Sequence, residues 1–166
     1  TARAVVEERS ETFIHYSGQS CFHEQIPRTR EVVWSSERSG WNQLYLFDAD
    51  TGLLKQPITH GEWTVRSVER VDPAARVVWI FAGGILPGQD PYHLHLCRAN
   101  LDGSGLVVLT AGDGNHHMRW SPRRSHFIDT WTRVDLPPVT ELRRARDGAL
   151  VCALETADAS EELARR

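Results

Sequence analysis

Short runs of apolar residues alternate with polar turns along this chain. Residues 32–34 (Val-Val-Trp) form one β-branched and aromatic run, and residues 44–47 (Leu-Tyr-Leu-Phe) form the next. Gly40 lies between the two runs, and Gly52 lies in the polar stretch that follows them. Because glycine adopts the positive φ of a tight hairpin turn without steric cost, both glycines fit the turns of a β-hairpin. The pattern therefore predicts a strand, a turn, a second strand and a second turn.

The same order of runs and turns returns in the middle of the chain and, more weakly, near its end. Three pairs of matching residues are separated by 45, 50 and 51 residues: Val33 and Val78, Leu44 and Leu94, and Thr59 and Thr110. This period is typical of one four-stranded blade of a β-propeller. The sequence predicts an all-β fold, a partial β-propeller of about three four-stranded antiparallel blades with a leading strand and a short C-terminal helical tail. Gly52 and Gly103 are expected in equivalent hairpin turns.

Residues 1–156 are predicted to form the partial propeller, and residues 157–166 a linker helix towards a domain outside this chain. The blades are expected at about 13–60, 63–110 and 113–155, after a strand of a preceding blade at 4–9. A propeller ring closes with about four to eight blades, so an arc of three leaves apolar faces and strand edges open. We therefore expect the chain to be part of a longer protein and to self-associate through these faces.

Composition narrows the possible functions. Hydrophobic residues make up 40% of the 166 residues and charged residues 25%, which is typical of a folded globular domain. The net charge of −3 gives no electrostatic reason to expect binding to nucleic acid or to an anionic membrane. No apolar run approaches the roughly 20 residues of a membrane-spanning helix. The cysteines, Cys21, Cys97 and Cys152, are far apart and form no Cys-x-x-Cys pair, so neither a disulfide framework nor a zinc site is predicted.

Four segments carry a more specific signal, because they occur in a fixed order across almost the whole chain. They are Ser36–Tyr45, Ile58–Val65, Asn100–Gly105 and Thr132–Val139. Each one alone is a generic blade turn, but in this order they resemble the N-terminal β-propeller of bacterial dipeptidyl peptidase IV-like serine peptidases of the prolyl oligopeptidase clan. The resemblance implies a position at the C-terminal end of that propeller, next to an α/β-hydrolase domain. It also implies a periplasmic or secreted parent protein that acts on short peptides without a cofactor.

Two turns depart from the family pattern. Residues 121–127 stand where the family usually has an Asp-Gly hairpin, and residues 27–30 also lack glycine. We expect the loops to differ at these positions and the fold to be unchanged.

No catalytic residue is predicted in this chain. The family's serine nucleophile lies in a Gly-x-Ser-x-Gly elbow, where an adjacent base and oxyanion donors activate it. That motif is absent here, and Gly103-Ser104-Gly105 is interpreted as a hairpin turn. The resemblance therefore implies that a Ser-His-Asp triad lies outside this chain.

Two positions are candidates for contact with a substrate. Family members hold the amino terminus of the substrate with a pair of glutamates, since two carboxylates can pair with one ammonium group. Glu7-Glu8 does not fit this role, because adjacent residues on a strand point to opposite faces, and we interpret the pair as solvated charges at a strand edge. Phe22 lies on the predicted innermost strand of the first blade, near where the family presents an aromatic wall to the peptide-binding cavity. It is the one candidate substrate-facing residue, and ordinary core packing is the alternative.

The histidines and tryptophans have simple structural interpretations. His93 and His95 lie two residues apart on a predicted strand, so their side chains share a face, as a metal pair would. No third ligand is near in sequence, and no metal site is predicted. His116 and His117 point to opposite faces of any strand. Three tryptophans recur at comparable blade positions and are expected to pack between blades: Trp34, Trp79 and Trp120.

Two functions fit the sequence. The favoured one is a non-catalytic propeller segment of a dipeptidyl peptidase IV-like serine exopeptidase, which gates and shapes the access of peptides to a hydrolase domain outside this chain. The alternative is a stand-alone propeller-type binding or scaffold module of the periplasm. A Gly-x-Ser-x-Gly elbow downstream of Arg166 in the parent reading frame would decide for the peptidase. An independent small enzyme is disfavoured because the sequence shows no nucleophile with its base.

Overall fold

The computed structural model describes residues 3–15 and 21–158, which form an all-β structure. Twelve strands make three four-stranded antiparallel sheets, and the strands of each sheet neighbour one another in chain order. Blade 1 contains β1 (His23–Ile26), β2 (Glu31–Ser36), β3 (Gln43–Asp48) and β4 (Leu54–Pro57). Blade 2 contains β5 (Thr64–Asp72), β6 (Val77–Gly83), β7 (Leu94–Asn100) and β8 (Val107–Val108). Blade 3 contains β9 (Asn115–Trp120), β10 (His126–Arg133), β11 (Leu136–Arg144) and β12 (Leu150–Thr156).

These three sheets confirm the predicted partial propeller of four-stranded antiparallel blades. The described residues contain no helix, and hence none there that is long and apolar enough to cross a membrane.

The middle strands of blades 1 and 2 are covered on both faces, which explains their continuous apolar runs. Val33 and Leu46 of blade 1 are fully buried, as are Val78 and Ile80 of blade 2. These side chains belong to one core cluster that continues from the first blade into the second. A second cluster, in which Phe127 is the largest member, joins blades 2 and 3. Burial of apolar surface therefore holds neighbouring blades together as well as the strands within each blade.

One hydrogen bond, repeated in both blades, fixes the equivalence of blades 1 and 2. The hydroxyl of Thr59 accepts from the backbone N–H of Leu44 at 2.9 Å, and the hydroxyl of Thr110 accepts from that of Leu96 at 3.0 Å. Thr59 and Thr110 are therefore equivalent residues of the two blades, as predicted. The residue of blade 2 that is equivalent to Leu44 is Leu96. The alignment of Leu44 with Leu94 is wrong by two residues, because side chains two apart share a strand face and the apolar pattern fits both leucines.

The glycine turns of the blades lie against the backbone of the preceding segment. Gly52 and Gly103 lie in the equivalent turns β3–β4 and β7–β8, as predicted, with φ of 73° and 85°. A Cβ atom at Gly103 would lie 2.6 Å from the carbonyl oxygen of Pro57 in blade 1. At Gly148, in the β11–β12 turn, it would lie 2.4 Å from the carbonyl oxygen of Leu109. Blades 2 and 3 therefore approach the blade before them more closely than a side chain at these turns allows.

Residues 4–9 form no strand, in contrast to the predicted strand of a preceding blade. Val5 nevertheless contacts the glycine turn of blade 1 in the way that Pro57 contacts the glycine turn of blade 2. The carbonyl oxygen of Val5 would lie 2.4 Å from a Cβ atom at Gly52. Val5 also packs against the apolar cluster around Tyr45. A strand needs a hydrogen-bonded neighbour, and the three described sheets pair no strand with this segment. Residues 4–9 therefore pack against the outer turn of blade 1 but do not form a strand.

An arginine with positive φ lies in the turn between the first two strands of each blade, directly before the second strand in blades 1 and 2 and two residues before it in blade 3. Three residues share a positive φ there: Arg30 (55°), Arg76 (57°) and Arg124 (52°). This left-handed conformation costs a residue with a side chain about 1 kcal/mol or more, which is why glycine is usual. The carbonyl of Arg30 accepts a hydrogen bond from Ala49 at 2.8 Å, and that of Arg76 accepts one from Leu101 at 2.9 Å. The turns therefore keep their shape without glycine, and the departures from the family pattern leave the fold unchanged.

Trp79 and Trp120 pack between blades, as predicted. Their rings are 6.1 Å apart in an edge-to-face arrangement, which joins β6 of blade 2 to β9 of blade 3. The predicted equivalence of the three tryptophans is wrong. Trp120 ends a first strand, and the register of the second strands makes Val33, one residue before Trp34, the counterpart of Trp79. The weaker repeat in blade 3 misled the alignment, because apolar residues occur on both of its first two strands.

A buried carboxylate links blade 1 to blade 2. Glu31, at the start of β2, is 3% exposed and accepts hydrogen bonds from Thr29, from Lys55 of the same blade and from Arg76 of blade 2. Burial by itself raises the pKa of Glu31, but the hydrogen bonds from Arg76, Lys55 and Thr29 outweigh it and lower the pKa to about 2. The carboxylate therefore stays charged at neutral pH and holds the two blades together.

We expect Glu31→Gln to reduce the free energy of unfolding by about 2 kcal/mol at neutral pH, because two cations lose their shared partner. This figure is below that of a fully buried pair, because the side chains of Lys55 and Arg76 are 42% and 39% exposed. The difference should vanish as the pH falls from 4.5 towards about 2, since protonation removes the stabilising charge of a carboxylate with a lowered pKa. Urea unfolding of both proteins across this pH range measures the difference in unfolding free energy. Asp50→Asn, which removes the exposed ion pair of Asp50 with Arg30, is the control. An equal loss in the control would contradict the assignment.

Blade 3 leaves its outermost strand uncovered. All seven residues of β12 are exposed, and Leu150, Val151 and Leu154 are 53%, 52% and 50% exposed. The linker helix predicted for 157–166 lies outside the described residues beyond Asp158, and the two described residues of that range belong to no helix. An apolar strand edge is therefore open to another polypeptide.

Candidate functional site

Two buried histidines meet between blades 2 and 3. His95 of β7 and His116 of β9 have ring centroids 4.9 Å apart. The Nδ1 atom of His116 lies 2.9 and 3.0 Å from the carboxylate oxygens of Asp129, and its Nε2 atom lies 2.9 Å from the carbonyl oxygen of Gly112. Both ring nitrogens of His116 are therefore engaged by oxygen atoms inside the protein. Neither nitrogen is open to a substrate or to a metal ion.

His95 is held in the neutral state. It is 1% exposed, and its Nδ1 atom donates to the carbonyl oxygen of Thr110 at 3.2 Å. Burial lowers the pKa of His95, and the neighbouring charge of His116 lowers it further, to about 4. Its Nε2 atom is buried and has no hydrogen-bond partner among the described residues. The contact between the two blades thus contains a neutral imidazole, His95, beside an imidazole that is hydrogen-bonded to a carboxylate, His116.

The charge of Asp129 is shared with an arginine of the next strand. Arg143 of β11 places its Nε atom 3.5 Å from Asp129 and hydrogen-bonds Glu141 at 3.0 and 2.6 Å. Its Nη1 atom also donates to the carbonyl oxygen of Gly148 at 2.9 Å. The carboxylates of Asp129 and Glu141 therefore face the guanidinium of Arg143, and Asp129 also faces the ring of His116. This network stabilises blade 3, and its charged groups are bound to one another within the blade.

The pairing of His116 with Asp129 was not predicted from the sequence. A signal was present, because Asp129 has the same strand parity as the buried Phe127 and so points an acid into the core. An acid at such a position needs a cationic or hydrogen-bonded partner. The partner lies on the adjacent strand β9, and only the register of β9 and β10 brings it near.

The remaining histidines do not form a metal site. The Nδ1 atom of His93 lies 3.2 Å from Asp113, whereas His95 turns to Thr110, so the two rings have separate partners. In residues 3–15 and 21–158, no group of three His, Cys, Asp or Glu side chains is arranged to hold a metal ion. On β9, His116 is buried and His117 is exposed, which agrees with the predicted opposite faces.

Glu7 and Glu8 do not converge on a common ligand. The carboxylate of Glu8 accepts hydrogen bonds from Trp34 Nε1 at 3.0 Å, Ser36 Oγ at 2.7 Å and Arg38 at 3.0 Å. Glu7 is exposed and pairs with Arg9 at 2.8 Å. The interpretation of Glu7 as a solvated charge fits this arrangement, whereas Glu8 instead fastens the N-terminal segment to blade 1.

Phe22 directly precedes β1, the innermost strand of blade 1. Its ring is partly buried against the core cluster of blades 1 and 2, and its N–H donates to Ser35 Oγ at 2.7 Å. The next residue towards the N terminus, Cys21, lines a partly open cavity of about 90 Å³ together with Trp34. Binding pockets for organic ligands occupy about 300–1,000 Å³, so this cavity is too small for a dipeptide. A substrate-facing role of Phe22 stays a prediction.

The chain is similar to a known protein family and to several solved structures. A family model for the dipeptidyl peptidase IV (DPP IV) N-terminal region matches residues 1–138. Dipeptidyl peptidase 4 of Porphyromonas gingivalis is similar, with a TM-score of 0.64 and 21% identity, over 86% of this chain and 19% of that chain. A Bacteroides ovatus protein described as dipeptidyl aminopeptidase IV has a TM-score of 0.60 and 18% identity, over 78% of this chain and 20% of that one.

A protein described as TolB from Agrobacterium tumefaciens has a TM-score of 0.52 and 16% identity, over 82% of this chain and 50% of that chain. At these identities the structures share the fold. The chain spans about a fifth of the length of the two peptidases. Because the family model covers residues 1–138 of 166, the chain belongs to the family of DPP IV N-terminal regions.

Proposed function

We propose that this chain is a non-catalytic propeller segment of a DPP IV-like serine exopeptidase, which gates and shapes the access of short peptides to an α/β-hydrolase domain outside this chain. One observation supports it above all: the family match over residues 1–138 coincides with three blades joined by continuous cores and close glycine turns. Blades packed in this way form rigid walls. Short peptides can pass openings between such walls that exclude folded proteins.

The chemistry of the buried groups between the blades agrees with a wall rather than a reaction centre. Nucleophilic catalysis needs a hydroxyl or thiol beside a base with a free lone pair. The buried thiol of Cys97 has its pKa raised to about 12 by burial, and both nitrogens of His116 are occupied. The acyl transfer of the proposed parent enzyme would therefore require a Ser-His-Asp triad carried elsewhere.

This proposal predicts no hydrolysis of dipeptidyl-prolyl chromogenic substrates by the 166-residue chain. The rate with the chain should equal the rate in buffer, and a serine-directed fluorophosphonate should leave the mass of the chain unchanged. Turnover that the fluorophosphonate abolishes would show that a reaction centre is present in this chain.

We also propose that the isolated chain self-associates through the open strand of blade 3. Sedimentation velocity at micromolar concentration should show a dimer or larger species, because β12 exposes both its apolar side chains and its free edge. The double variant Leu150→Lys/Leu154→Lys should sediment as a monomer. Leu53→Lys, at a 68% exposed turn of blade 1, is the control and should associate like the unchanged chain. A monomeric unchanged chain would refute the proposed association.

A further inference from the structure

An open groove of about 450 Å³ lies between blades 2 and 3, away from the histidine pair. Its apolar lining includes Val77 and Trp79 of β6 and Ala145 at the end of β11. Its lining also includes four arginines, Arg98, Arg124, Arg144 and Arg146, with His126 beside them. We call this surface the arginine groove. None of its lining residues is acidic, although the chain as a whole carries a net charge of −3.

Three of the four guanidinium groups have donors to spare. Arg98 of β7 is partly buried, and its side chain makes no ion pair or hydrogen bond among the described residues. The guanidinium of Arg124 lies 5.6 Å from the ring centroid of Trp120 and has no carboxylate partner in the described part of the chain. Arg146 is 81% exposed and lies 3.8 Å from the carboxylate of Asp147.

Arg144 differs from these three arginines. It makes two hydrogen bonds to Asp147, at 2.8 and 2.6 Å, so that carboxylate is largely committed to it. Guanidinium groups recognise carboxylates through paired N–H donors, and unpaired ones beside an apolar surface are therefore suited to an anionic ligand. Trp79 adds a buried indole N–H without a partner among the described residues.

The surroundings of the groove favour a peptide over a nucleic acid. Asp147 adjoins Arg144 and Arg146, and Glu69 accepts a hydrogen bond from Trp120 at 3.0 Å beside Arg124. A nucleic acid carries a charge on every phosphate and would meet repulsion at both carboxylates. A peptide can instead place acidic side chains at the free arginines and apolar side chains between them. Arginine and tryptophan are also the residues that contribute most to protein interfaces.

We propose that the arginine groove is a docking site for an acidic, leucine-containing segment of a partner protein. Its carboxylates pair with Arg98, Arg124 and Arg146, and its apolar side chain lies against Val77 and Trp79. This interaction goes beyond the proposed gating of substrates, because the groove lies between two blades and its ligand is a protein partner.

The probe is a fluorescein-labelled Glu-Glu-Leu-Glu-Glu peptide, and its binding to the 166-residue chain is measured by fluorescence anisotropy in about 0.1 M salt. Arg98→Gln and Arg146→Gln should each weaken binding about threefold or more, and the double variant about tenfold. Arg28→Gln removes the same charge from an exposed turn of blade 1 and should change binding less than about twofold. A Gln-Gln-Leu-Gln-Gln peptide should compete at least about tenfold more weakly.

Four results would overturn the proposal. They are an equal loss with Arg28→Gln, equal competition by the glutamine peptide, no binding at about 1 mM peptide, and tighter binding of a single-stranded oligonucleotide through the same arginines. If Arg98→Gln fails to fold because Arg98 is partly buried, Arg146→Gln decides alone, since its side chain lies at an exposed turn. Activity of the parent peptidase does not enter these outcomes, so they stand apart from the proposed function.

Discussion

Replacing Gly103 by alanine is expected to destabilise the chain by about 3 kcal/mol. Two costs add at this position. The φ of 85° is unfavourable for any residue with a Cβ atom, and that atom would lie 2.6 Å from the carbonyl oxygen of Pro57. The obstacle is backbone of the neighbouring blade, so relief requires the two blades to move apart.

Gly40→Ala separates these two costs. Gly40 has a φ of 90°, but a Cβ atom there would meet nothing within 4 Å. It should therefore show the conformational cost alone, about 1 kcal/mol. Urea unfolding of both variants and the unchanged chain measures the difference. Equal losses in the two variants would show that blades 1 and 2 do not approach each other at this turn.

Stability is expected to fall by about 3 kcal/mol as the pH drops from 6.5 to about 4. Burial and the charge of His116 lower the pKa of His95 from 6.5 to about 4 in the folded chain. Below 6.5 the unfolded chain therefore binds a proton that the folded chain does not, and the equilibrium shifts towards unfolding. His93 opposes protonation of His95 as His116 does, whereas Asp129 favours it.

His95→Gln should flatten this pH dependence, because glutamine takes up no proton. Urea midpoints at about pH 7.5 and pH 5 measure the slope, a range in which the carboxylate of Glu31 stays charged. His117→Gln is the matched control, since His117 is exposed on the same strand as His116. A slope that persists in His95→Gln, or one that also vanishes in His117→Gln, would show that another group titrates.

The blades were predictable from sequence because their signal is local. Val32, Val33 and Trp34 occupy a strand covered on both faces, and Gly52 supplies a conformation that few other residues adopt. The pattern could not show whether Leu94 or Leu96 of blade 2 is equivalent to Leu44 of blade 1, because both leucines fit the same strand parity. Hydrogen bonds from residues far along the chain decide that register.

The buried charges could not be predicted, for a related reason. The pairs of Glu31 with Arg76 and of His116 with Asp129 join residues 45 and 13 positions apart, on strands whose register the sequence does not state. Arg76 also departs from the local rule that favours glycine at a positive φ. Its side chain pairs with Glu31 of the preceding blade, a contact that glycine cannot make.

The central claim is that this chain serves a catalytic domain that lies elsewhere. The most direct test is the hydrolysis of a dipeptidyl-prolyl substrate by the complete product of the reading frame that encodes these 166 residues, with the chain alone in parallel. The proposed function predicts fluorophosphonate-sensitive turnover by the complete product, a Gly-x-Ser-x-Gly elbow downstream of Arg166, and no turnover by the chain. A complete product that lacks the elbow and does not hydrolyse the substrate would contradict the claim and identify a stand-alone binding module.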